Sequence, residues 1–584
     1  MSTVIPIDEF VGDAWYPGFR PGYMDAAWIT ERASTFTQED EKRFWFIDFH
    51  WPNGFTPMGC IYLEDAYSWG LQLAARQLPL PPGNGLVPRI VGVHVYGSEA
   101  LPPSGFEIAQ RAERIGTTLP QFLENFPAIW AERVRELESG LHYFESHAYD
   151  GKPLAELAQL LVDARAFNKR AWEIHFEIMY PLLANYLGFY GMCGELGIPP
   201  VETAKFLQGY DTKMMECDRA LWTLAKAARG TLVEQILAET PPERLQTALR
   251  AAGSATQAWL VEFDAMLAQY GMRTEGIADP MLAPWCEDPT PALGTIKSFL
   301  GRDGQFDFEA GRRAAAAERD EAVERARQRL TDGERQAFDQ ALASCRHANF
   351  PWWNEDHNFY IDLRATTPVR MACLAIGRTL GLDDPTDTLF CFHKELVLVA
   401  QGALAWSEVQ PYIQPRRDYY RLWNDKRSAM PKVLGTVPET VMDPVMIEIF
   451  GIHKYFLAAA RLGSGQVQQL TGMAVSSGVG RGRARVLHDA SLLHTIAVGD
   501  ILVCEGTTPS WTPAFTKVAA CVCDGGGTLT HASIISREYR VPCVVGVGMG
   551  TSAIKDGDEV EVDGNSGIVT ILKRAAAAHS VELA

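Results

Sequence analysis

The stretch DGGGTLTHASIISREYRVPCVVGVG, Asp524 to Gly548, sets a single histidine behind three glycines. Thr530 is a favourable helix N-cap, which puts His531 at the first helical position, beside unpaired amides and the positive end of the helix dipole. Gly525, Gly526 and Gly527 leave the preceding loop without side chains, so an anionic group can approach its backbone. A neutral imidazole there is a nucleophile flanked by a phosphate cradle of three glycines and Thr530, the setting a phosphohistidine requires. The same features fit a surface histidine that caps a helix after a flexible loop. No histidine, cysteine or acid stands three or four residues beyond His531, so a zinc site built on it is not expected. Arg537 falls about 240 degrees round the helix from His531 and reads as a structural or docking residue.

Working outward, GRARVL, DILVCEG, AACVCDG and CVVGVG are short β-rich runs bounded by glycine. DEVEVDGNSGIVTIL alternates and turns at Asp563-Gly564-Asn565, as a hairpin does. A further helix is expected to start at Thr512-Pro513, with Thr512 as cap and proline in the first turn. Together these runs predict a small α/β domain over residues 473–575, followed by a frayed tail at 576–584. The glycine-rich RLGSGQVQQLTG, Arg461 to Gly472, reads as a flexible linker between it and everything upstream.

Residues 1–460 are dominated by helical periodicity. Lys152 to Tyr190 carries Trp172, Phe176 and Tyr180 four apart on one face, with a kink expected at Pro181. Glu309 to Arg346 reads as two solvated helices broken near Thr331. FWFIDFHWPNGFTPMG, Phe44 to Gly59, mixes aromatics with proline and glycine and suggests irregular or short-strand structure. The chain is thus expected to be multidomain, a large and mostly α-helical domain followed by a small α/β one.

The 584 residues exceed what one core supports. A formal charge of -19 argues against nucleic acid or an anionic membrane as general partner. Eleven unpatterned cysteines, no visible secretory signal and no apolar run of about 18 residues predict a cytoplasmic protein with free thiols.

TLTHASIISREYRVPCVVGVG resembles the phosphohistidine segment of the phosphoenolpyruvate-utilising enzymes, a family that includes phosphoenolpyruvate synthase, rifampicin phosphotransferase and phenylphosphate synthase. SSGVGRGRARVL, GDILVCEGTTPSWTPAF and KDGDEVEVDGNSGIVTIL follow the family's swivelling-domain pattern in order. The resemblance implies that His531 accepts a phosphoryl group and carries it between two sites. FWFIDFHWPNGFTPMG, YGMRTEGIADPMLAPWCEDP and NEDHNFYIDLRATTPVRMACLAIGRTLGLDDPTDTLFCFHKEL likewise resemble the helical acceptor-binding domain of rifampicin phosphotransferase and its relatives.

Within these segments Arg364 and Arg370 are candidates to stabilise the transferring phosphoryl group, or structural ion-pair partners. His357, beside Glu355 and Asp356, is a candidate base for an acceptor hydroxyl. Arg273 with Glu275, also readable as a buried structural bridge, Asp48 with His50, which alternate positions place on the same side of an extended segment, and the stripe Trp172, Phe176, Tyr180, more often core than pocket, are candidate acceptor contacts.

The sequence has no G-x-x-x-x-G-K-[ST] loop, and no segment resembles the family's nucleotide-binding domain. The expected arrangement is therefore a split phosphotransferase of the phenylphosphate synthase kind. A separate ATP-grasp subunit would hold ATP and Mg2+, this chain would hold no stable cofactor or metal, and the acceptor would be a small aromatic alcohol or phenol. A binding or assembly module with a retained histidine domain, or an enzyme that uses a transient phosphoester for a further step, remain alternatives at this point.

Overall fold

The computed structural model describes residues 3–5, 15–25, 38–74, 85–100, 104–300, 307–462, 467–488 and 490–575. The upstream region is helical, as expected, but it also contains a five-stranded antiparallel sheet. Its strands are β1 (Thr3–Ile5), β2 (Phe44–Ile47), β3 (Leu86–Val91), β4 (His94–Glu99) and β5 (Val433–Val437), in the order β1-β5-β2-β4-β3. Only β2 was legible beforehand, because β5 pairs with it from nearly 400 residues away in sequence.

Around this sheet pack long helices. Gly105–Glu145 and Leu154–Glu195 run alongside each other, and the second continues through Pro181. The expected helix pair is present as Phe308–Arg327 and Asp332–His347, broken where Thr331 and Glu334 close a reciprocal capping box.

The C-terminal α/β unit is built on eight strands: β6 (Gln469–Thr471), β7 (Met473–Ser476), β8 (Val479–Val486), β9 (Ile501–Cys504), β10 (Ala520–Cys523), β11 (Cys543–Val545), β12 (Glu559–Asp563) and β13 (Ile568–Lys573). The order is β6-β13-β12-β8-β9-β10-β11-β7, with β8 to β11 parallel and the flanking pairs antiparallel. The hairpin at Asp563 is present. Part of the expected linker is not linker: Gln469–Thr471 pair with β13, while 463–466 and the tail 576–584 lie outside the described residues. Thr512 is the first residue of a short helix, Thr512–Phe515, rather than its cap; its hydroxyl donates to the Pro509 carbonyl.

The two regions are docked. Phe49, Phe450 and Ile452 from upstream share one buried apolar cluster with Trp511, Leu529 and Ala532 from the α/β unit. Polar contacts reinforce it. Glu505 pairs with Arg427 at 2.6 Å, both buried, and with the half-buried Lys432. Glu538 accepts the Gly209 amide at 2.9 Å and pairs with Arg312. Tyr186 donates to the Thr528 hydroxyl at 3.2 Å, which itself donates to Glu448. Among the described residues no helix is long and apolar enough to cross a membrane.

Candidate functional site

His531 opens the helix His531–Tyr539, with Thr530 in the N-cap conformation. The Thr530 side chain does not cap: its hydroxyl donates to the Gly527 carbonyl at 3.0 Å, which also accepts from Ser533 at 2.6 Å. These bonds tie the glycine loop to the first turn and fix the angle at which the imidazole leaves it.

Two of the three glycine amides are not available to the expected cradle. The Gly525 amide donates to the Glu505 carbonyl at 2.9 Å and the Gly526 amide to the Phe450 carbonyl at 3.1 Å, so neither is left for a phosphate. Close approach explains them instead. A Cβ at Gly525 would stand 2.4 Å from the Phe49 ring, and one at Gly527 would stand 2.4 and 2.5 Å from the Glu448 and Ile447 carbonyls. Gly526 in addition has φ +91, a conformation side chains disfavour. The glycine string is the surface on which the two regions meet.

His531 is 7% exposed. Its Nδ1 lies 2.8 Å from the Thr507 hydroxyl and its Nε2 3.3 Å from that of Thr512. Burial, and then the charge of Arg273, lower its pKa to about 3, so the ring is neutral and nucleophilic at any physiological pH. Arg537 is buried with its guanidinium on the Val475 and Thr528 carbonyls, a structural staple as expected.

The ring faces a cavity of about 140 Å³ between the two regions. From the α/β unit come Gly525, Gly526, Thr507, Thr530 and His531; from upstream come Asp48, His50, Trp172, Phe176 and His357, together with Tyr62, Tyr67, His175, Phe350, Asp362 and Phe450. Most of the candidates separated by hundreds of residues thus meet in one place.

Asp48 and His50 form a dyad just after β2. His50 Nδ1 is 2.7 Å from Asp48 Oδ1, the same oxygen accepts the His50 amide at 2.9 Å, and the Tyr67 hydroxyl donates to Oδ2. A turn, not the expected extended segment, brings them together. Burial alone would lower the His50 pKa, but the Asp48 carboxylate outweighs it and raises it above 6.5. His50 and Tyr67 in turn outweigh burial at Asp48 and hold it below the usual carboxylate range.

His357 lines the cavity, but Glu355 and Asp356 do not orient it. Asp356 accepts from Trp130 and from the Lys213 amide, and buried Glu355 has its pKa pushed up to about 8. The acid beside His357 is Asp362, at 3.5 Å from Nε2. Arg364 and Arg370 are not cavity residues. Arg364 pairs with Glu145 at 2.5 Å, and Arg370 grips Glu287 at 2.6 and 3.0 Å and two carbonyls at 3.0 Å. Tyr180 faces a different cavity, between the helices Gly105–Glu145 and Leu154–Glu195, and donates to the Gly70 carbonyl.

Arg273 and Glu275 are not paired with each other: the Trp285 indole N–H donates to Glu275 while its ring stacks on the Arg273 guanidinium at 4.1 Å. Arg273 is 2% exposed, its Nη1 meets only the sulfurs of Met214 and Cys217, and its Nε has no hydrogen-bond partner among the described residues. It is a buried cation whose charge is felt at His531.

Sequence reasoning missed His175, Asp362, Thr507 and Tyr67. His175 stands on the noted aromatic stripe beside Phe176, and Asp362 is five residues past His357 across a wide turn in which the Leu363 amide bonds Asn358.

Residues 175–355 match the rifampicin phosphotransferase fourth domain, and residues 496–567 match the PEP-utilising enzyme mobile domain. The chain is similar to the chondramide synthase cmdD of Chondromyces crocatus, 30% identical over 91% of this chain and 14% of the relative. It is 27% identical to the uncharacterized phosphotransferase YvkC of Bacillus subtilis (strain 168), over 93% of this chain and 64% of the relative. To the rifampicin phosphotransferase of the same organism it is 31% identical, over 55% of this chain and 35% of the relative. The chain therefore spans less than two thirds of each of these relatives. Residues 496–567 thus place His531 at the helix mouth of a PEP-utilising enzyme mobile domain, behind a region that matches the fourth domain of rifampicin phosphotransferase.

Proposed function

We propose that the chain is a phosphotransferase component in which His531 receives a phosphoryl group from ATP held on a separate ATP-grasp subunit with Mg2+, and passes it to a hydroxyl of a small aromatic acceptor. The observation that carries this reading is the shared cavity: the ring of His531 and the Asp48–His50 dyad open on the same aromatic-walled space.

Each part has a physical role. The Thr507 hydroxyl, at 2.8 Å, holds Nδ1 of His531 more closely than the Thr512 hydroxyl, at 3.3 Å, meets Nε2, so Nε2, once freed of Thr512, is taken as the nucleophile and the site of the phosphoryl group. Transfer breaks this N–P bond and forms a P–O bond to the acceptor, whose hydroxyl proton passes to His50 while Asp48 orients the ring. Arg273, whose charge is felt at His531, supplies positive charge toward the phosphoryl oxygens, which the engaged Gly525 and Gly526 amides do not offer. The space of about 140 Å³ is close to the roughly 150 Å³ known to hold a benzene ring, so a single-ring alcohol or phenol fits it. Trp172 Nε1, buried with no partner among the described residues, offers such an acceptor a donor.

Incubation with β-labelled ATP and a candidate ATP-grasp partner tests the reading. Acid-labile, base-stable label should appear on this chain only with the partner, disappear in His531→Ala, and move to a phenol-class acceptor when one is added. Absence of label with every such partner would refute it.

A further inference from the structure

The wall of the cavity opposite the helix mouth carries a cluster that the transfer chemistry leaves unused. One ring nitrogen each of His175 and His357 and a carboxylate oxygen of Asp362 lie within 4.8 Å of one another. We propose that these three residues bind a divalent first-row transition metal ion, with Zn2+ as the reference case.

The argument starts with hydrogens. His357 Nδ1 lies 3.1 Å from the Trp353 carbonyl, and a carbonyl only accepts, so Nδ1 carries a proton and the Nε2 lone pair is the one left to take a cation. That lone pair faces Asp362 Oδ1 at 3.5 Å, a second acceptor. His357 is 1% exposed, and its Nε2, Asp362 Oδ1 and His175 Nδ1 are all buried with no hydrogen-bond partner among the described residues. A lone pair and a carboxylate facing each other in a buried wall repel unless a proton or a metal cation lies between them, and metal titration decides between the two.

The dimensions suit a metal. Two ligands bonded at about 2.0–2.1 Å to a tetrahedral ion stand about 3.4 Å apart, close to the separation of Nε2 and Oδ1. The Nδ1–H to carbonyl bond is the outer contact that fixes a ligating histidine's tautomer. The rings of His175 and His357 are 4.7 Å apart and inclined at 57°, and Trp353 stacks on His357 at 4.3 Å, which locks its orientation. The five-residue step from His357 to Asp362, across the turn closed by the Leu363 amide on Asn358, puts both side chains on one side; such wide turns recur at functional sites. Two imidazoles and one carboxylate favour Zn2+ and its neighbours over Mg2+ or Ca2+. Three protein ligands leave a fourth position toward the cavity.

The site is a matter of binding and is tested without the transfer reaction. The full chain is stripped with a chelator and dialysed against Zn2+ or Co2+, with metal content measured by mass spectrometry. The proposal expects about one equivalent in the wild type and in the surface control His142→Gln, and at least ten-fold weaker binding in His357→Gln and in Asp362→Asn with unchanged circular dichroism. Should those variants unfold, the Co2+ spectrum of the wild type decides: visible bands of a four-coordinate site without a sulfur-to-cobalt band support it. A sulfur band would move the metal to buried Cys504, Cys521 and Cys523 and overturn the proposal. Less than about 0.1 equivalent in the wild type, or equal binding by folded variants, would overturn it as well.

Discussion

Glu538 and Arg312 form an ion pair across the boundary between the mobile domain and the upstream region, and each is only 9% exposed at its side chain. Glu538 belongs to the nine-residue helix that begins at His531, seven positions and about 10 Å away along its axis. Because Glu538 also accepts the Gly209 amide, anchoring this end of the helix aims the other end into the cavity.

Glu538→Gln keeps an acceptor for Gly209 but leaves Arg312 with the more exposed Asp211, at 3.4 Å. The acceptor step should slow about ten-fold or more, equivalent to about 1.4 kcal/mol of docking, while labelling of His531 by the ATP partner stays within two-fold. Single-turnover assays of the two half-reactions separate these effects; equal slowing of both would show that the pair serves stability rather than docking.

His50→Gln should lower the acceptor step by about 10²-fold or more with labelling of His531 intact, and Asp48→Asn should lower it by a smaller factor. In the wild type the step should accelerate as pH rises through the elevated His50 pKa, since only the neutral ring takes a proton. A flat profile across neutral pH would remove His50 as the base.

Gly525→Ala puts a methyl group 2.4 Å from the Phe49 ring and should open the docked form, seen as faster proteolysis between the two regions and a larger radius of gyration. Phe49→Leu in the same chain should restore part of the docking. Gly527→Ala meets backbone carbonyls, and no side-chain truncation should rescue it.

Burial of His531 makes the fold acid-sensitive at that position. Above about pH 6.5 the ring is neutral in the folded and unfolded chain alike; between there and about pH 3 only the unfolded chain binds the proton, so stability falls as pH drops. Urea melts of wild type and His531→Gln should show the wild type losing roughly 1 kcal/mol relative to the variant between pH 6 and 5. A constant difference would mean that the ring is already hydrated.

The mobile domain was legible because its signals are local: a cap, a proline, a hairpin turn and strands bounded by glycine all act within a few residues. Thr530 takes the N-cap position as read, so His531 opens the helix, although the Thr530 hydroxyl bonds back to Gly527 instead of capping. Contacts between regions were not legible. Nothing near Gly525 tells that Phe49 will press on it, so side-chain absence read as room for phosphate when it was room for a neighbour. Arg364 and Arg370 looked available because Glu145 and Glu287, which neutralise them, lie far off in sequence. His357 was correctly drawn to the cavity for the wrong partner, since a wide turn, not adjacency, selects Asp362. Arg273 drew attention as half of a pair, and its distinguishing property, a buried charge without hydrogen bonds to oxygen, appears only when the surrounding sulfurs and the Trp285 ring are in place.

The docked cavity also bears on waste. A phosphohistidine in open solution hydrolyses, and here the ring is 7% exposed and faces a space only about large enough for the acceptor itself. An acceptor that fills this space displaces the water that would otherwise compete as nucleophile. Under the proposed transfer, selection of substrate and suppression of futile ATP turnover are the same event, and a poorly fitting acceptor would reveal itself less by slow product formation than by phosphate released for nothing.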